Sequence, residues 1–166
     1  MLLILTFSAT VFGQTASVKI YFSNDKLQRN QNSCSEVFPV VRKIPKTKAV
    51  ANAALRELFR GATGRETAKG YSSLFSNKTK NILISVKIKN KAAYVNFKDD
   101  IEQSLGNATS SCGSQSFTAQ IKKTLKQFPT IKKVFYAIEG KPKDFYDWIQ
   151  IGECPPELKN CSGKDF

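Results

Sequence analysis

Apolar and polar positions along this chain fall into short runs of clear period. Val18, Ile20 and Phe22 alternate with Lys19 and Tyr21, the two-residue repeat of a strand with one buried face. Val37 to Ile44 is rich in β-formers, and Pro39, which cannot donate to a ladder, predicts an edge strand or a strand start before Pro45 closes the segment. From Val50 the period lengthens. Val50, Ala51, Ala54, Leu55, Leu58 and Phe59 form one apolar stripe at helical spacing, with Arg56 and Arg60 away from it. Thr47 stands ready to cap this helix, and Gly61 lies where a helix C-terminus favours positive φ. Ala62 to Ser76 shows no sustained period, which predicts a loop with one helical turn.

The clearest strand follows. Ile82, Ile84, Val86 and Ile88 alternate with Leu83, Ser85, Lys87 and Lys89, so the isoleucine face is expected to be buried. Asn90-Lys91 suits a tight turn, and Ala93, Val95 and Phe97 carry the apolar face onto a return strand. Asp99 to Leu105 reads as a short helix, and Gly106 to Ser116 as a small polar linker. Phe117, Ile121, Leu125 and Phe128 line one side of a second long helix, with Lys122, Lys123 and Lys126 on its wet side and Pro129 ending it. Val134, Tyr136 and Ile138 mark the last strand. The order β-β-α-β-β-α-β, with one apolar face per element, predicts an α+β domain. Its expected form is two layers, a mixed β-sheet with two main helices packed on one face.

Composition adds a compartment. Leu2 to Phe12 carries no charge, is too short to span a membrane and suits a signal peptide, with cleavage before Gln14. The expected division is a leader over 1–13, a domain over 18–140 and an extension over 141–166 that holds the single tryptophan, Trp148. Nothing after the leader has the length and apolarity of a transmembrane segment, so the expected location is secreted, periplasmic or otherwise extracytoplasmic. Four cysteines, Cys34, Cys112, Cys154 and Cys161, predict two disulfides in such a chain, and three pairings are possible. Cys154 and Cys161 are close enough in sequence to pair locally, which would leave Cys34 and Cys112 to close a long loop. The absence of histidine and of any Cys-x-x-Cys spacing argues against zinc, and neither a metal nor a cofactor is expected.

Charge adds a class of partner. The net charge is +13, and residues 41 to 91 contain thirteen Lys or Arg against only Glu57 and Glu66. That imbalance points to an anionic partner, with Arg42, Lys43, Lys46, Lys48, Lys78, Lys80, Lys87 and Lys89 as the candidate binding surface. Tyr21, Tyr71, Tyr94 and Tyr136 could stack bases, but three of them fall in predicted strands and nucleic acid is not the expected partner. The sequence has no histidine base, phosphate loop or nucleophile elbow. Asp99, Asp100 and Glu102 are the only dense acidic group; a helix N-terminus explains them, and an enzyme acting on wall glycans is the remaining catalytic reading, with Asp99 and Glu102 as its candidates.

These pieces together resemble the GerMN domain of the sporulation and spore germination family. The resemblance is carried by V-K-I-Y-F-S-N from Val18, C-S-E-V-F-P-V-V-R-K-I-P from Cys34 to Pro45, and L-R-E-L-F-R-G ending the first helix. It continues through G-A-T-G-R-E-T-A-K-G-Y from Gly61 to Tyr71, A-Y-V-N-F in the hairpin and A-Q-I-K-K-T-L-K-Q-F-P-T-I-K-K-V from Ala119 to Val134. It implies a fold similar to ring-building motifs, a Cys34–Cys112 pairing and no catalytic residues. The implied role is binding or scaffolding in the bacterial cell envelope, with an envelope protein or an anionic wall polymer as partner and oligomerisation as an option. A secreted binder of polyanions, acting through the basic surface, is the alternative.

Overall fold

A computed structural model of the chain describes residues 14–30 and 33–166. The leader expected over 1–13 lies outside them. Strands β1 (Thr15–Asn24), β2 (Phe38–Pro45) and β3 (Tyr71–Ser72) form one antiparallel sheet in the order β2-β1-β3. Strands β4 (Leu83–Lys89), β5 (Ala92–Phe97) and β6 (Lys133–Ile138) form a second, mixed sheet in which β5 pairs antiparallel with β4 and parallel with β6. Helices α1 (Val50–Leu58) and α4 (Ser111–Lys126) are the long ones; α2 (Gly64–Ala68), α3 (Ile101–Ser104) and α5 (Pro142–Ile149) are short. The protein is therefore α+β, and β1-β2-α1-β4-β5-α4-β6 keeps the expected order. The strands divide between two three-stranded sheets rather than joining in one.

The first helix follows its stripe: Ala51, Ala54, Leu55, Leu58 and Phe59 are all buried. Thr47 does not cap the helix: the N-cap is Ala49, with no side-chain cap, and the Thr47 hydroxyl accepts from the Ala49 N–H at 3.1 Å one step earlier. Gly61 has φ +77°, and its N–H closes the helix on the Leu58 carbonyl at 2.9 Å. At the β4–β5 hairpin both Asn90 and Lys91 adopt positive φ, as a two-residue turn matched to the strand twist requires.

Three expectations change. The isoleucine face of β4 is not uniformly buried: Ile82 is, but Ile84 is 37% and Ile88 49% exposed. A register shift between Leu83 and Ser85 breaks the alternation, and β4 is the outer strand in the order β4-β5-β6. The linker before the second long helix is mostly structured. Ser110 caps α4 by accepting from the Gly113 N–H at 3.1 Å, and a Cβ on Gly113 would meet the Asn107 carbonyl at 2.1 Å, so small residues here permit close packing. Finally, the second sheet is covered on both faces. Phe145 of α5 stacks on Tyr136 and Phe97, on the side shared with Phe117 of α4. On the opposite side Phe166 meets the Tyr94 ring edge-on at 5.4 Å. The central strand β5 is buried along its whole length as a result.

The expected C-terminal extension is thus wall as well as tail. Residues 142–149 cover one face of the second sheet and residues 157–166 the other, held by Lys133 to Glu157 at 2.8 Å, Lys89 to Asp165 at 2.5 Å and Lys87 to the Phe166 carbonyl. Cys154 bonds to Cys161 within this segment, and Cys34 bonds to Cys112 across 78 residues with Cα atoms 5.1 Å apart.

Candidate functional site

A polar groove of about 540 Å³ lies where β2, the end of α1 and the start of α2 meet, lined by Arg42, Lys43, Glu57, Arg60, Glu66 and Asn77 among others. Strand alternation decides what its basic residues do. Arg42 shares the inner face of β2 with buried Ile44, and its guanidinium lies over the Phe22 ring, 5.2 Å from the centroid. Its Nε donates to Glu66 Oε1 at 3.2 Å and its Nη2 to Glu66 Oε2 at 2.5 Å, a two-pronged pair. Nη1 also donates to the Glu57 carbonyl and Nη2 to the Gly61 carbonyl, both at 2.7 Å, satisfying oxygens that the end of α1 leaves without helical partners.

Glu66 is held from the other side by α2. Its Oε2 accepts from the Thr63 N–H at 2.7 Å, while its own N–H donates to Thr63 Oγ1, a reciprocal cap. Burial alone would raise the pKa of this carboxyl. The hydrogen bonds from Arg42 and Thr63, with the guanidinium charge, outweigh it and hold the group below the usual carboxylate range. The groove is a clamp joining three elements, and Arg42 has little left to offer a ligand.

The other basic candidates have different settings. Lys43 faces outward into the groove, Lys46 donates to Gln14 Oε1 at 2.9 Å, and Lys48, Lys78 and Lys80 are exposed in turns. Lys87 and Lys89 hold the C-terminal segment. Among the tyrosines, Tyr94 and Tyr136 are buried and Tyr71 donates to the Pro39 carbonyl at 3.3 Å, so they present no common stacking face. Asp99, Asp100 and Glu102 line a separate cleft of about 440 Å³ together with Glu139, just past β6, and Asp144 of α5, which were not visible as neighbours in sequence.

The lysines that do gather are ones set aside as the wet side of a helix. Lys122, Lys123 and Lys126 rim a cleft of about 440 Å³ between α4, Tyr21 of β1 and Ser35 of the loop ahead of β2. The only sequence signal was three lysines within five residues; their opposition to Tyr21 and Ser35 depends on tertiary structure.

The family model for sporulation and spore germination matches residues 19–144. Among solved structures the chain is similar to the tandem GerMN domains of the sporulation protein GerM from Bacillus subtilis, with 22% identity and a TM-score of 0.54 over 82% of this chain and 43% of that one. It is also similar to the first GerMN domain of that protein alone, with 18% identity and a TM-score of 0.46 over 75% of this chain and 84% of that one. The chain thus spans less than half the length of the tandem structure, and identity at this level shows a shared fold. No curated protein matches it.

Proposed function

We propose, from the premise that the chain belongs to the sporulation and spore germination family, that it is a non-catalytic extracytoplasmic module that binds a protein partner in the bacterial cell envelope. The observation that carries this reading is the placement of exposed apolar side chains. Of the large hydrophobic residues left exposed among the described residues, Val41 lies on β2 and Ile84 and Ile88 on β4, the outer strands of the two sheets. An outer strand offers unpaired backbone groups, and apolar side chains beside them favour the docking of another chain. Two disulfides support an oxidising compartment.

A photo-crosslinker at Ile88 is expected to capture one envelope protein from the native host, and Ile84→Lys with Ile88→Lys to abolish the capture while the fold persists. Capture that survives both substitutions would sink the β4 reading. A second reading, binding of an anionic wall polymer, is favoured by Lys43, Lys48, Lys78 and Lys80, which have no carboxylate partner among the described residues. It predicts retention on purified cell wall that falls as salt rises.

A further inference from the structure

We infer that the cleft between β1 and α4 is a binding site for a phosphate-bearing ligand, held by Lys122, Lys123 and Lys126 with Tyr21 and Ser35 opposite. This proposal is independent of the β4 edge. It stands on how the cleft is built and on what is missing from its walls.

One wall is fixed by an unusual junction. Along residues 19–21 the edge of β1 that faces away from β2 pairs with helix side chains. Gln127 accepts from the Lys19 N–H at 2.9 Å and returns a bond to the Lys19 carbonyl at 2.7 Å, and Thr124 accepts from the Tyr21 N–H at 3.2 Å. The carboxamide thereby takes the place of a neighbouring strand and sets α4 directly beside Tyr21. The facing wall is fixed covalently. Ser35 follows Cys34, whose disulfide to Cys112 pins this loop to the start of the same helix. Both sides of the cleft are therefore held before any ligand arrives.

The charge inside is of one sign. No acidic side chain lines the cleft, and none of the three lysines forms an ion pair among the described residues. The nearest carboxylate in sequence, Glu36, is turned to the Arg29 N–H at 2.9 Å. Lys122 and Lys126 lie one helical turn apart; desolvation and then the Lys126 charge lower the proton affinity of Lys122, the mark of a cation short of a counter-ion. Three ammonium groups act as point charges suited to a phosphate, and the hydroxyls of Tyr21 and Ser35 can add neutral donors. The Tyr21 ring supplies an apolar surface for whatever carbon skeleton carries the phosphate.

The test is titration of the full described chain with inorganic phosphate and with glycerol 3-phosphate at constant ionic strength, followed by amide NMR, with acetate as control. Saturable shifts confined to Tyr21, Ser35 and residues 122–127 are expected, and Lys122→Gln with Lys126→Gln should weaken binding about tenfold or more. Lys143→Gln with Lys164→Gln, neither of which lines the cleft, should leave it unchanged. Tighter binding of glycerol 3-phosphate than of phosphate would identify a phosphate ester borne on a carbon skeleton as the source, and equal binding a free phosphate. The proposal is overturned by shifts that do not saturate, by an equal response to acetate, or by full affinity in the lysine variant when its spectrum shows the native fold.

Discussion

Arg42 and Glu66 belong to different elements, yet each is half of a unit neither could form alone. Removing the Glu66 charge leaves a guanidinium that is largely buried and short of its two-pronged partner, so Glu66→Gln is expected to lower stability by about 1–3 kcal/mol in denaturant melts. Arg42→Lys should fail to restore it, because an ammonium cannot span a carboxylate and two carbonyls at once. The same pair sets an acid limit. The carboxyl of Glu66 is held below its ordinary 4.5, so its stabilisation is complete above about pH 4.5 and drains away as pH falls through the lower folded value. The Glu66→Gln variant should lack that component of the acid transition. Tyr136 offers the converse case: its hydroxyl is buried with no hydrogen-bond partner among the described residues, and burial pushes its pKa well up. Tyr136→Phe should therefore be neutral or stabilising by up to about 1 kcal/mol. At this scale Gly61 was legible, since positive φ after an apolar stripe leaves few alternatives. Arg42 was not, because sequence displays a charge but not the partner that neutralises it.

Helix α4 shows how far periodicity reaches. Its apolar stripe was legible from Phe117, Ile121 and Leu125, all of which are buried. A second stripe, Ser116, Gln120, Thr124 and Gln127, runs beside it and is polar, with Gln120 and Thr124 fully buried. Gln120 accepts from Ser73 Oγ at 2.6 Å and donates to Ser116 Oγ at 2.9 Å, which lies 3.4 Å from Ser23 Oγ. Polar residues at helical spacing look like a solvated face until a sheet edge is placed against them; that is why the first sheet's closure could not be read from sequence. Gln127→Ala should cost about 1 kcal/mol, because water can reach the freed Lys19 groups. Thr124→Val should cost more, about 1–2 kcal/mol, because the Tyr21 N–H is less accessible. Amide exchange at Lys19 and Tyr21 would report both; unchanged protection in either variant would argue that the side chains do not seal this edge. Strand β4 is the opposite lesson, a clean alternation interrupted by a local register shift that no periodic pattern records.

Taken whole, the protein is tied together by contacts distant in sequence. The Cys34–Cys112 bond restricts the unfolded chain over 78 residues, and chain-entropy reasoning assigns it about 4 kcal/mol. Cys34→Ser with Cys112→Ser should lower the melting temperature strongly, and reduction of the native protein should match it unless the short Cys154–Cys161 loop contributes as much. The largest effect is expected from the C-terminal segment. Phe145 is fully buried in the aromatic cluster with Phe97, Phe117 and Tyr136, so Phe145→Ala should cost about 3–5 kcal/mol. Sequence reading set residues 141–166 apart as an extension, although Pro142, Phe145, Tyr146 and Ile149 recur at helical spacing and are all buried in α5. The extension packs because both faces of the second sheet are already in place to receive it.

That arrangement also has a bearing on when the protein can become native. A nascent chain emerges from the ribosome N-terminus first, and β5 sits at the centre of its sheet with both faces waiting for residues 142–166. Until those residues follow, Phe97, Tyr136 and Tyr94 lack part of their cover. The second sheet therefore becomes native only once almost the whole described chain is available to fold.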